Sequence, residues 1–515
     1  MEWQFYLLLP LGLLGVWKYR PGRRSITLAI GAGFVFSLAL SAGLTPYRAA
    51  AAFYLLPTRA WEMLAGGLVW QLARHTVLSG RQRTMLESAG VGLVALAIAG
   101  FDSASPWPGH LALLPVVGSV LVLVANAPRS LWTGQPLAQW LGSRSYSIYL
   151  WHWPLVVTLT NLEIQTDWRA IAAGMAMTLV LGHLSFRWVE TLARRRISRL
   201  PLRRGATALL GATFVIVAGC VVVHLKMGVA GRFAPEVERV AQDATDRKPH
   251  QAACLTTGGT SSPSCIYGGE RLRAILIGDS HADAMTTALA ASVPDTTKDG
   301  IMDWTYVSCL TARGVRNPSP LFGPDEKCSE FLEWAVHRLA DIPRDIPLVI
   351  VNRTSAYAVG PNEPRAGATP NTPLVYFDQR PAAVSPAFLV EFARHVTDTA
   401  CELARTRAVY MVRPTPELVI NVPKVMVRAM AMGVQRDISI SLTDYHRRHD
   451  FVWAAQDAAR DRCGVKILDP LPYLCRDGRC QAQRDGRPLY YDDNHLSEFG
   501  NKLLVPMFAE VFQKN

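Results

Sequence analysis

No internal repeat and no low-complexity tract runs through this chain, so neither a repeat array nor a disordered polar segment accounts for its length. It has no CxxC pair, and no histidine pair accompanies LCRDGRC (474–480), which favours disulfide chemistry over a zinc site. The first apolar stretch lacks both a basic n-region and a small-residue cleavage site, so no cleavable signal peptide is expected. Basic residues are nearly missing from FDSASPWPGH (101–110) and TNLEIQTD (160–167), and apolar runs of bilayer length are missing beyond residue 226. Those last two absences divide the chain: the part up to 226 needs lipid, and the remainder reads as a soluble mixture.

What is present in the first part is a series of apolar stretches at about 4–17, 25–44, 52–73, 86–101, 110–127, 139–159, 168–190 and 206–225. Several approach the ~20 residues that cross a bilayer core, which predicts about eight spans in a polytopic helical membrane domain, 1–226. Lys18, Arg20, Arg23 and Arg24 follow the first stretch, Arg74, Arg81 and Arg83 the third, and Arg129 the fifth. Arg194, Arg195, Arg196, Arg199, Arg203 and Arg204 follow the seventh. The positive-inside rule puts these four loops in the cytoplasm and everything after residue 226 outside. A good part of the net charge of +12 sits in these loops, where orientation and anionic lipid explain it; no nucleic-acid partner is expected.

Residues 227–250 are polar, show no strand period and read as a linker. From 251 to 515 short apolar strands such as AILIGDS, PLVIVNR and AVYMVRP alternate with amphipathic helices, which predicts an α/β domain with a mainly parallel sheet covered on both faces. Of nine cysteines, Cys220 lies in the last apolar stretch and the other eight in the outer part, an even number that fits an oxidising compartment. Spacing suggests Cys254–Cys265, Cys309–Cys328 and Cys475–Cys480, leaving Cys401 with Cys463, although eight cysteines allow many connectivities.

The strand ILIGDSH (275–281) runs straight into Gly278, Asp279, Ser280 and His281. A serine needs a base held in the right tautomer by an acid, and YYDDNHLSEFG (490–500) offers Asp492 and His495 three residues apart on one loop. His495 would take the proton of Ser280, Asp492 would orient the imidazole, and Asp279 would shape the turn. GDSH and DDNH resemble the first block and the Asp-x-x-His block of the SGNH (GDSL-like) hydrolase superfamily. That resemblance implies oxyanion donors, for which Gly314 in SCLTARGV and Asn352 in VIVNRTSAY are the nearest matches; Asn352 reads equally as a turn residue. The Ser280 backbone N–H is a further donor.

Ionisable groups inside apolar stretches tend to mark sites. Arg59 and Glu62 stand three apart on one helical face, His152 lies between Trp151 and Trp153, and LGHLSFRWVE brings His183, Arg187 and Glu190 into the seventh stretch. Arg59–Glu62 reads equally as a structural pair, and His152 as part of an interfacial aromatic belt. EWQFYLLLP, FYLLPTRAWEMLAGG and LGSRSYSIYLWHWPLV look like successive signatures of the membrane-bound acyltransferase family 3, in the branch that carries an SGNH domain after its last span, and this draws in Glu2 as well. The resemblance implies a bacterial inner-membrane, multi-pass O-acyltransferase with no bound cofactor or metal. Acetyl-CoA or another acyl-CoA would be the donor. A hydroxyl of a cell-surface polysaccharide or lipopolysaccharide would accept the group in the periplasm or outside. The same triad would serve a carbohydrate esterase, and a non-catalytic membrane component is the remaining reading. The family also has earlier spans with an Arg and a His, and Met1 stands where its Val-Glu-x-Gln-Phe-Tyr stretch has Val, so an amino-terminally truncated or misplaced start is expected. Oligomeric state is left open.

Overall fold

The computed structural model describes residues 2–73, 76–102, 105–127, 130, 132–162, 164–226, 228–229, 231–317, 327–363, 371–434 and 436–513. The chain divides into two compact units, Met1–Thr213 and Phe214–Asn515, with the division inside the helix Leu202–Leu225.

Among the described residues the regular structure of the first unit is entirely helical. Among the described residues four helices are, by length and composition, able to cross a bilayer: Arg23–Leu44, Gly80–Gly100, Trp168–Ile197 and Arg203–Leu225. The eight apolar stretches differ in helix length and polarity. Leu113–Ala125 has only 13 residues, Glu2–Tyr19 and Leu56–Ala73 have 18 each, and the 26-residue Pro136–Asn161 helix is diluted by polar side chains such as Ser143, Arg144 and His152. The stretch 52–73 is broken at Leu55, whose backbone is extended (φ −89°, ψ 139°). Pro57 stands two residues later, in the first turn of a new helix, where its missing N–H is no loss. The Gly80–Gly100 and Leu113–Ala125 helices meet backbone to backbone, since a Cβ on Gly118 would stand 2.7 Å from the Gly90 carbonyl oxygen. Such close approach is what small residues permit between helices in lipid. Of the basic residues used for orientation, Arg74 and Arg129 lie outside the described residues.

The second unit is built on a six-stranded sheet: β1 (Cys265–Gly268), β2 (Arg271–Gly278), β3 (Asp299–Thr305), β4 (Leu348–Val351), β5 (Val409–Val412) and β6 (Lys466–Leu468). The order is β1-β3-β2-β4-β5-β6, parallel throughout except for the edge strand β1. Successive strand residues point to opposite faces, and here both faces are dry. Ala274, Leu276, Val349, Val351, Tyr410 and Val412 pack into one core. Ile275, Ile277, Leu348, Ile350, Val409 and Met411 pack into the other. The α/β class expected from the alternating pattern is the one observed.

The disulfides are Cys254–Cys265, Cys309–Cys328, Cys401–Cys463 and Cys475–Cys480, the four pairs expected, and Cys220 is free. The linker reading of 227–250 needs correction. Pro235–Asp243 is a helix whose Val237 and Val240 are buried, and Lys248 is buried as well. A search for strand period misses it because the apolar residues recur at helical spacing on one narrow face.

Candidate active site

β3 and β4 flank β2 on opposite sides, so chain connections leave the β2 end in two directions and open a crevice at its carboxyl edge, the usual place for a site in such a sheet. Gly278 ends β2 so close to β4 that a Cβ there would run into the Val351 carbonyl oxygen, and only glycine fits. Asp279 follows as the N-cap of the helix Ser280–Ala291. Its carboxylate accepts from the His281 N–H, the Arg353 N–H and the Tyr357 hydroxyl, each at 2.8 Å. Asp279 thus ties the turn to the segment after β4, as a shaping role requires, and leaves Ser280 as the first residue of the helix. Amide groups in a first turn have no intrahelical acceptor.

Ser280 Oγ lies 2.8 Å from His495 Nε2, and His495 Nδ1 lies 2.8 Å from Asp492 Oδ2. The other carboxylate oxygen of Asp492 accepts from the N–H groups of Asn494 (2.9 Å) and His495 (2.8 Å), which winds the DDNH loop around its own acid. Burial alone would push the Asp492 carboxyl up. The hydrogen bond and charge of His495, with the two loop N–H groups, outweigh it and hold the group well below the usual carboxylate range. The segment 417–422 supports the loop from outside, with the Leu418 and Val422 N–H groups donating to the Asp493 and Asp492 carbonyls. The three residues expected to act together are therefore in one hydrogen-bonded line, each of them partly exposed.

His281, given no separate role by sequence reasoning, is part of this arrangement. It is buried, its Nε2 is 2.9 Å from Asn494 Oδ1, its Nδ1 is 3.2 Å from Thr415 Oγ1, and its ring lies 4.7 Å from that of His495. Burial, then the neighbouring His495, push its pKa down to about 4, so it is neutral and bridges the two blocks. Behind the turn, Arg353 pairs with Glu363 (2.5 Å) and Glu417 (2.7 Å), and Arg448 also reaches Glu417 (3.0 Å). Burial works against the Glu417 charge, but the two guanidinium groups win and hold its pKa far down. The signal for His281 was its place in GDSH; nothing local in the sequence marks Glu417.

The two weaker oxyanion candidates separate. Asn352 stands at the carboxyl end of β4, next to the Ser280 turn. Its side chain accepts from the Thr311 N–H (3.2 Å) and donates to the Cys309 carbonyl (3.1 Å), so one of its two amide hydrogens is engaged. Gly314 turns at φ 76° against the ring of His395, and among the described residues it has no hydrogen bond to the serine, histidine or aspartate.

In the first unit Arg59 and Glu62 form a two-pronged pair at 2.8 and 2.7 Å. Glu190 accepts from Ser147 Oγ (2.8 Å) and Arg194 (2.7 Å), at the end of a π-helical turn over Phe186–Glu190. His183 accepts from Arg144 Nε at 2.9 Å, and Glu87 takes the hydroxyls of Ser130 and Thr133. Arg144 and Glu87 were missed, though a lone carboxylate within an apolar stretch is itself a signal. His152 is exposed, and the side chain of Glu2 lies outside the described residues.

Comparison with known proteins agrees with this division. Residues 251–510 match the model described as "SGNH domain (fused to AT3 domains)", and residues 1–187 match an acyltransferase domain of the acyltransferase-3 family. A peptidoglycan O-acetyltransferase, OatA, from Listeria monocytogenes is 31% identical over 217 residues, which cover 38% of this chain and 34% of that protein. An O-acetyltransferase OatA from Staphylococcus aureus is 23% identical over 243 residues, covering 43% of this chain and 40% of that protein. The chain thus spans well under half the length of these relatives. The solved periplasmic domain of a lipopolysaccharide acetyltransferase from Salmonella ser. Paratyphi A overlays with a TM-score of 0.34 at 12% identity, covering 55% of this chain and 98% of that one. With one model matched over its carboxyl-terminal half and the other over its helical part, the chain belongs to the family of SGNH domains fused to acyltransferase-3 domains.

Proposed function

We propose that this chain moves an acyl group, acetyl in the simplest case, from acetyl-CoA on the cytoplasmic side of a bacterial cell membrane to a hydroxyl of an extracytoplasmic glycan. Ser280, His495 and Asp492 carry out the outer step. The single observation that carries the reading is the Ser280–His495–Asp492 line at 2.8 Å per link, within a chain of this family. Ser280 Oγ attacks the carbonyl carbon of the incoming acyl group while His495 Nε2 takes its proton. Collapse of the tetrahedral intermediate expels the donor's leaving group, which receives that proton. The acceptor hydroxyl then gives its proton to His495 and attacks the acyl-serine, and Ser280 leaves with the proton. The Ser280 N–H and the second amide hydrogen of Asn352 are the donors available for the oxyanion. The names of the relatives favour a cell-wall or surface polysaccharide as acceptor.

The test uses membranes containing the full chain, labelled acetyl-CoA and a glycan acceptor. Ser280→Ala is expected to abolish labelling of the glycan while the chain stays in the membrane. Unchanged labelling in that variant would remove the triad from the reaction.

A further inference from the structure

The segment expected to be a linker meets both halves of the triad. Asp246 receives the first turn after His495: its carbonyl accepts from the Glu498 N–H and its carboxylate from the Phe499 N–H, both at 3.1 Å. The next residue, Arg247, is exposed on one side and rests its guanidinium 4.6 Å from the centre of the Tyr491 ring. Tyr491 in turn lies parallel to the His495 imidazole, within 3° and at 5.2 Å between centres. Lys248 turns the opposite way and is fully buried. Its ammonium contacts Asp283 (2.6 Å) and Asp303, and Gln251 also donates to Asp283. Asp283 stands three residues beyond Ser280 on the same helix. Over six residues the segment thus grips the serine helix with one group and the stacking partner of the histidine with another.

We propose that residues 246–251 form a clasp, with Arg247 and Tyr491 as positioning residues that hold the His495 ring against Ser280. The proposal rests on the acyl-transfer reading for its purpose, not for its geometry. Neither residue reaches the reacting atoms. Arg247 fixes the Tyr491 ring by a cation–π contact, Tyr491 fixes the plane of His495 by stacking, and Lys248 keeps the serine helix in register with both. Asp492 and Ser280 hold the two ring nitrogens in line and His281 lies 4.7 Å away, tilted by 49°, whereas Tyr491 is parallel to the ring and fixes its plane.

The experiment uses the full chain in detergent and reads His495 in two ways. The first is its rate of carbethoxylation by diethylpyrocarbonate, followed by peptide mapping, which needs no turnover. The second is Ser280-dependent hydrolysis of an acetyl-ester reporter. Tyr491→Leu is expected to raise the His495 modification rate and lower kcat by about two- to tenfold with KM unmoved, the worth of an aromatic pair. Arg247→Ala should do the same by about two- to fivefold. Tyr491→Phe, which keeps the ring, should behave as the parent chain. Parent-like His495 modification in both Arg247→Ala and Tyr491→Leu would overturn the clasp. Should Tyr491→Leu fail to fold, Arg247→Ala, altered at an exposed side chain, decides alone. Absence of any Ser280-dependent hydrolysis in the parent would instead count against acyl transfer, with the modification rates still deciding the clasp.

Discussion

The two units handle polar groups in different ways. In the first, charged pairs are neighbours on one helix, as with Arg59–Glu62 and Glu190–Arg194, and hydrogen bonds between helices join residues about forty apart, as where Arg144 donates to His183. Large apolar side chains such as Leu7, Leu8, Val35 and Phe36 face outward. In the second, Leu276, Ile277 and their neighbours are closed over, and the polar contacts that matter cross far greater separations. Lys248 meets Asp303 55 residues on, and His281 meets Asn494 213 residues on. A helix satisfies its own backbone, so lipid can serve as the other half of the first unit's packing. The second unit must close long loops, at an entropic cost that grows with separation, and its eight bonded cysteines offset part of it. Met1–Thr213 has no cysteine at all. Local order in one unit and remote order in the other predict different points of failure.

The sharpest break falls on the remote contacts. Asp492→Asn should keep the fold but present His495 in the wrong tautomer, lowering kcat by about 10³- to 10⁴-fold, while the far-ultraviolet helix signal stays unchanged. A loss of only a few-fold in ester turnover would mean that the acid is not what holds the imidazole. Next in size is the cross-link that spans 62 residues: replacing Cys401 and Cys463 together by serine should cost the second unit about 2–4 kcal/mol. Urea unfolding should then separate into two transitions, that of the second unit moved and that of the first in place. Movement of both by the same amount would contradict independent units.

Acid should act on the second unit in a smaller, graded way. His281 and His449 are both held neutral, down to about 4, chiefly by burial, against an unfolded value near 6.5. Depressed values of this kind mean that their contribution is complete above about pH 6.5 and is lost as pH falls toward about 4. Asp492, also depressed, adds a loss below the ordinary carboxylate range. The second unit's urea midpoint should therefore drop between pH 6.5 and 4, and less steeply in His281→Gln. A flat profile in the parent chain would refute neutral burial. The smallest effect is expected for Arg59→Gln, since a helical pair three residues apart is worth about 0.2–0.5 kcal/mol. A fall in acyl transfer of more than about tenfold, equivalent to about 1.4 kcal/mol, would show that this pair belongs to a site rather than to the helix.

The same contrast explains what could be read from the residues alone. Ser280 and the Asp492–His495 pair were legible because each lies in a short block whose chemistry is local: a glycine-led turn at a strand end, and an acid and a base on one loop. The strands around them were legible because both faces are buried and the apolar runs are continuous. Residues 235–250 were not. Lys248 has no neighbour in sequence that would announce burial, and its partners Asp283 and Asp303 are reached only once β2 and β3 are in place. Gly314 is the nearest match to a family block, and such a match says nothing about the loop that carries it to His395. Apolar content alone likewise does not reveal a break such as Leu55 or a helix as short as Leu113–Ala125.

The 215 residues between Ser280 and its base also set an order in time. At about 5–20 residues per second, a ribosome makes the serine about 10 to 40 s before it makes His495. Throughout that interval the strand-end hydroxyl has nothing to accept its proton, and it is no more reactive than any other serine. On the proposed acyl-transfer reading, competence therefore arrives in one step, when the loop that carries His495 closes on Ser280.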